Sequence, residues 1–178
     1  MKINMKTNLS FLCGAVIAAG VLLAGAGEMP KAKPGSVEFE QMKTLVGTWT
    51  GKTDMGDGPV DITVRYRLVA AGSVIEERIF EGTPHEMVTM YYDQDGKLAL
   101  THYCALGNRP AMKLKSSDNK TLAFDFDPKC GINPKKESHM HALKISFVDK
   151  NTITTSCQSF MEGKESPECS TTLKRSET

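Results

Sequence analysis

The sequence predicts an all-β domain of about ten short antiparallel strands behind one short helix. Turn-forming clusters recur at short, regular intervals: Gly56-Asp57-Gly58-Pro59, Gly72-Ser73, Gly82-Thr83-Pro84, Asp95-Gly96, Gly107-Asn108-Arg109-Pro110, Ser117-Asp118-Asn119, Asp149-Lys150-Asn151 and Glu162-Gly163-Lys164. Between them, apolar residues alternate with polar ones. Val60, Ile62, Val64, Tyr66 and Leu68 alternate with Asp61, Thr63, Arg65 and Arg67, and Leu143, Ile145 and Phe147 alternate with Lys144 and Ser146. Leu122, Phe124 and Phe126 share one face. Each such run has one apolar and one wet face, as an antiparallel sheet around a core requires. The chain has 178 residues, 40% of them hydrophobic and 24% charged, which suits one globular domain. Periodicity alone admits a sandwich and a barrel equally.

Lys2 and Lys6 precede an apolar run from Leu9 to Leu23 and then Ala24-Gly25-Ala26. A basic start, an apolar stretch and small residues at the exit read as a signal peptide over residues 1–26. Residues 27–35, with Pro30, Lys31, Lys33 and Pro34, read as a tether, and residues 36–178 as the domain. The expected protein is exported, periplasmic or extracellular, with no membrane span once the signal is cleaved. Cleavage removes two of the 22 basic residues and turns the formal net charge from +1 to −1. That balance speaks against binding nucleic acid or an anionic membrane surface.

Ser36 is placed to cap a short helix in which Phe39, Met42 and Val46 form one stripe. Four cysteines follow the leader: Cys104, Cys130, Cys157 and Cys169. An even number in an oxidising compartment suggests two disulfides, for which three connectivities exist. A hairpin at Glu162-Gly163-Lys164 would set Cys157 opposite Cys169, leaving Cys104 to join Cys130.

Gly47-Thr48-Trp49 directly after the helix, together with Arg175 in the last strand, resembles the calycin superfamily, the lipocalins and their relatives. The resemblance implies a ten-stranded antiparallel lipocalin-like barrel. Trp49 would plug one end, and Arg175 would lie across it and reach helix carbonyls. Leu100-Thr101-His102-Tyr103-Cys104, Gly107-Asn108-Arg109-Pro110-Ala111-Met112 and His139-Met140-His141 are similar to segments of secreted, uncharacterised lipocalin-like bacterial proteins of one domain. The Gly72–Glu77 and Pro84–Met87 stretches fit the same pattern. This resemblance supports architecture and carries no settled activity.

The four histidines are His85, His102, His139 and His141. His102 and Cys104 share parity with Leu98 and Leu100, and His139 and His141 with Leu143, Ile145 and Phe147, so all four polar side chains are expected to point inward. Glu77 shares a face with Ile75 and Ile79 and is a candidate interior acid; the opposite register would bring in Glu76 and Arg78. The expected function is non-enzymatic binding of a small, partly apolar ligand. Leu100, Phe124, Leu143 and Ile145 would form its wall, and His102, Cys104, His139, His141 and Glu77 its polar contacts.

Two alternatives stand beside it. One is a barrel enzyme holding a transition metal or haem through His102, His139 or His141. The haem-binding nitrobindins, similar ten-stranded barrels with a histidine axial ligand, would put His139 or His141 in that role. The other is a structural, envelope-associated domain whose barrel is filled by its own side chains. No phosphate-binding loop, G-x-S-x-G or HExxH motif is present.

Overall fold

The computed structural model describes residues 33–177 apart from Met55 and Asp57. The proposed leader and all of the tether before Lys33 lie outside the described residues. Helix α1 (Val37–Lys43) is followed by β1 (Gly47–Asp54), β2 (Pro59–Val69), β3 (Val74–Ile79), β4 (Met87–Gln94), β5 (Lys97–Tyr103) and β6 (Ala111–Ser117). Then come β7 (Thr121–Phe126), β8 (His139–Asp149), β9 (Thr152–Met161), β10 (Lys164–Glu165) and β11 (Cys169–Arg175).

Every pairing is antiparallel, each of β1 to β8 joins the next, and β8–β9, β9–β11 and β11–β1 close the circuit. Ten strands therefore form a closed barrel. The two-residue β10 hangs on β9 outside the circuit. Closure leaves no long unpaired edge, the physical benefit of a barrel over an open sheet.

Helix α1 caps one end. The Ser36 hydroxyl accepts from the Phe39 amide at 3.1 Å, while the Ser36 amide and hydroxyl donate to Asp93 of β4 at 2.6 and 2.7 Å. One residue thus caps the helix and ties it to the barrel. Phe39 and Met42 are buried as expected, but Val46 is 40% exposed and Leu45 takes its place in the core. The helix stops at Lys43, so the stripe does not continue to Val46.

Trp49, Tyr66, Tyr91, Leu98, Leu100, Leu122, Phe124 and Ile145 fill the barrel beneath the helix, each almost fully buried. Leu100, Phe124 and Ile145 are therefore core, and Leu143 nearly so. The opposite end differs. Inward side chains there, among them Glu77, Ile79, Met87 and Cys157, retain accessible surface. One half of the barrel is closely packed, and in the other half several inward side chains keep part of their surface accessible.

Candidate functional site

The register of four consecutive strands builds a row across the interior. Tyr66 of β2 is opposite Glu77 of β3, Glu77 is opposite Thr89 of β4, and Thr89 is opposite His102 of β5. Alternation then decides which acid enters. Glu77 goes inward with Ile75 and Ile79, whereas Glu76 faces out and binds Arg67 and Arg78.

Glu77 collects hydrogen bonds from its neighbours. Tyr91 donates to Oε2 at 2.8 Å and Thr89 to Oε1 at 3.3 Å. Thr89 Oγ1 also lies 2.9 Å from His102 Nδ1. With the threonine proton committed to the carboxylate, His102 Nδ1–H donates to the threonine oxygen. The Tyr66 hydroxyl is buried and close enough to the same carboxyl to affect its ionisation, but it makes no hydrogen bond of good geometry.

Burial raises the Glu77 pKa, and the hydroxyl donors around it offset part of that rise. Burial pushes His102 down to about 4, so its imidazole is neutral at physiological pH. Tyr66 and Tyr91 are both raised well above the usual phenol value, first by burial and then by the Glu77 charge. On the far wall, burial lifts the Cys157 thiol to about 12, with the Glu77 charge among the smaller causes. Glu77 and Cys157 thus face one interior space.

His139 and His141 lie elsewhere, which corrects the expected parity. The β8–β9 register shifts by one residue between Met140 and Ala142, so His139 is paired with Phe160 and Met140 with Ser159. It is Met140 that packs against the barrel core. A one-residue bulge interrupts strand alternation, and side chains beyond it exchange faces. The two imidazoles join Phe126 and Phe160 in an aromatic quartet with centroid separations of 4.2 to 5.6 Å.

The quartet has a defined hydrogen-bond direction. His139 Nδ1 is 2.7 Å from the Glu137 carbonyl, which can only accept, so this nitrogen carries the proton. With one proton per ring, His139 Nε2 accepts from His141 Nδ1–H at 3.0 Å. Only His141 Nε2 retains a free lone pair. Burial, and then the neighbouring His139, lower the His141 pKa.

The three histidines do not converge on one point. His139 is fully buried with both nitrogens engaged, His141 stacks with Phe126, and His102 belongs to the separate interior row. Among the described residues, no group of three or more His, Cys, Asp or Glu side chains converges to hold a metal ion. No helix among them is long and apolar enough to cross a membrane.

Cys169 is the register partner of Cys157, as the hairpin spacing anticipates. Cys104 and Cys130 line one surface recess of about 670 Å³ with Asn108 and Arg109. No disulfide joins the four in this structure. Sequence reading alone missed Tyr66, Thr89 and Tyr91. Their residue types carry no motif, and only strand register assembles them around Glu77.

No family model matches the chain, and no curated protein matches it. Solved structures do resemble it. The crystal structure of Rv2717c from M. tuberculosis matches with a TM-score of 0.52 and 15% identity, covering 81% of this chain and 100% of that one. Npun_R4044 from Nostoc punctiforme PCC 73102, a protein of unknown function from the DUF3598 family, matches with a TM-score of 0.51 and 12% identity. That match covers 84% of this chain and 53% of the Nostoc chain, so this chain spans about half the length of that relative. The shared fold is a closed ten-stranded antiparallel β-barrel with one short N-terminal helix. At this identity the likeness establishes fold alone.

Proposed function

We propose that this protein is an exported binding protein that holds a small, partly apolar molecule in the less closely packed half of its barrel. Ile79, Met87 and Cys157 supply the softer wall, and Glu77, Tyr66 and His102 the orienting polar groups. The observation that carries this reading is the unpartnered Tyr66 hydroxyl beside Glu77, where inward side chains keep accessible surface. A buried donor left without a partner is costly unless a bound molecule or water supplies one. The wall differs from the one expected from sequence, because Leu100, Phe124 and Ile145 are consumed in packing. Among the described residues no nucleophile beside a positioned base accompanies the row, which favours binding over catalysis.

The test is native mass spectrometry of the exported chain, purified without denaturation, followed by amide NMR titration with small amphiphiles. Binding in the less closely packed half shifts resonances of Glu77, Thr89, His102 and Cys157. Shifts confined to the Cys104–Cys130 recess, or none at all, overturn the reading.

A further inference from the structure

Two adjacent acids on β3 are treated in opposite ways. Glu76, on the outer face, is bound by Arg67 and Arg78. Glu77, on the inner face, has no Lys or Arg partner among the described residues. The groups facing it are neutral or acidic: Tyr66 from β2, Thr89 and Tyr91 from β4, His102 through Thr89 from β5, and Cys157 from β9. Two hydroxyl donors on its oxygens favour the ionised carboxylate, but donors do not cancel its charge. Among the described residues, the interior therefore holds a carboxyl group with no cation beside it.

We propose that the molecule bound beside Glu77 is a small organic cation, a protonated primary amine on a short apolar body. This deepens the binding reading given above and rests on it. An ammonium group offers three N–H donors. Glu77 accepts one, and the unpartnered Tyr66 oxygen is a second acceptor beside it. By register Tyr66 and Tyr91 flank Glu77, and Ile79 and Met87 stand one inward position further along the same strands, an aromatic and apolar setting that suits a cation with an apolar body. A charge pair shielded from bulk water attracts far more strongly than the same pair at a surface, whereas an anionic ligand there meets like charge.

Three probes with the same ring separate the charge states: benzylamine, benzyl alcohol and benzoate, each titrated into the full exported chain at pH 7.5 by calorimetry and amide NMR. Benzylamine is expected to bind at least about tenfold tighter than benzyl alcohol, and benzoate more weakly than both. Glu77→Gln removes the preference of amine over alcohol, while Glu77→Asp, which keeps the charge, retains part of it. Unfolding curves of both variants establish that they are folded. Equal affinity for amine and alcohol, or a preference that survives Glu77→Gln, overturns the cation assignment. If the alcohol or benzoate shifts Thr89, His102 and Cys157 and the amine binds no better, the interior site stands and its charge preference falls. If none of the probes shifts these resonances, both readings fall.

Discussion

Arg175 lies across Trp49 with its guanidinium carbon 4.3 Å from the ring centroid, and from there its nitrogens reach the end of α1. Nη1 donates to the Val46 carbonyl at 2.9 Å and Nη2 to the Thr44 carbonyl at 2.6 Å, while Trp49 Nε1 donates to Leu45 at 2.7 Å. Strand β11, strand β1 and the helix are thereby joined at one point. Gly47 makes room for it: its φ is +132°, and a Cβ there would sit 2.9 Å from Arg175 Nη1. Replacing Arg175 by alanine removes the stacked cation and three charge-assisted hydrogen bonds, the third from Nε to the Lys150 carbonyl at 3.3 Å, for an expected loss of about 2–3 kcal/mol in urea unfolding. Arg175→Lys recovers only part of it, because an ammonium lacks the planar fork.

Tyr66 gives the opposite result. Its hydroxyl has no partner, so Tyr66→Phe keeps the packed ring and removes only an unsatisfied polar group. Stability is expected to stay within about 1 kcal/mol of the parent. Amine affinity, measured by calorimetry on the same preparation, is expected to fall. A large loss of stability would mean that the hydroxyl holds the fold together.

Acid should weaken the fold through His102. The unfolded chain takes up this proton near the ordinary value of 6.5, whereas the folded chain resists it until about 4. Between those values the unfolded state binds more protons, so the full contribution is present above pH 6.5 and declines as pH falls to about 4. The span corresponds to about 3 kcal/mol, read from urea midpoints at successive pH values. His102→Asn should flatten this slope.

Glu77 acts with the reverse sign. Its folded pKa is raised by burial, so the folded state binds the extra proton and gains stability as pH falls through that raised value. Glu77→Gln should therefore raise the urea midpoint at pH 8 and steepen the decline in acid. A lowered midpoint at pH 8 would contradict the interior-acid assignment.

Cys157 is expected to alkylate slowly. With its thiol near 12, only about 1 in 10⁴ molecules is a thiolate at pH 8. Timed iodoacetamide labelling with peptide mass spectrometry checks this on the reduced protein, and rapid labelling of Cys157 would contradict the burial that raises its pKa.

Much of the architecture was legible because it is written locally. Alternation in β2 and β8, the turn clusters between strands, and the placing of Gly47-Thr48-Trp49 after a capped helix each depend on neighbours in the chain. The spacing around Gly163 also sets Cys169 opposite Cys157. The site was only half legible. Parity nominated Glu77 and His102, and both face inward. It failed for His139 and His141, because a single unpaired residue in β8 resets the faces and nothing in His139-Met140-His141 announces a bulge.

The sequence by itself determined an antiparallel all-β chain and its short capping helix, since periodicity and turn chemistry act over a few residues, while its resemblance to the calycins implied the tryptophan–arginine closure. Only the tertiary structure decided that Tyr66, Glu77, Thr89 and His102 form one interior row, and that the inward side chains are more closely packed at one end than at the other. Register between strands and the filling of a closed interior arise from residues far apart in the chain, and neither has a local signature.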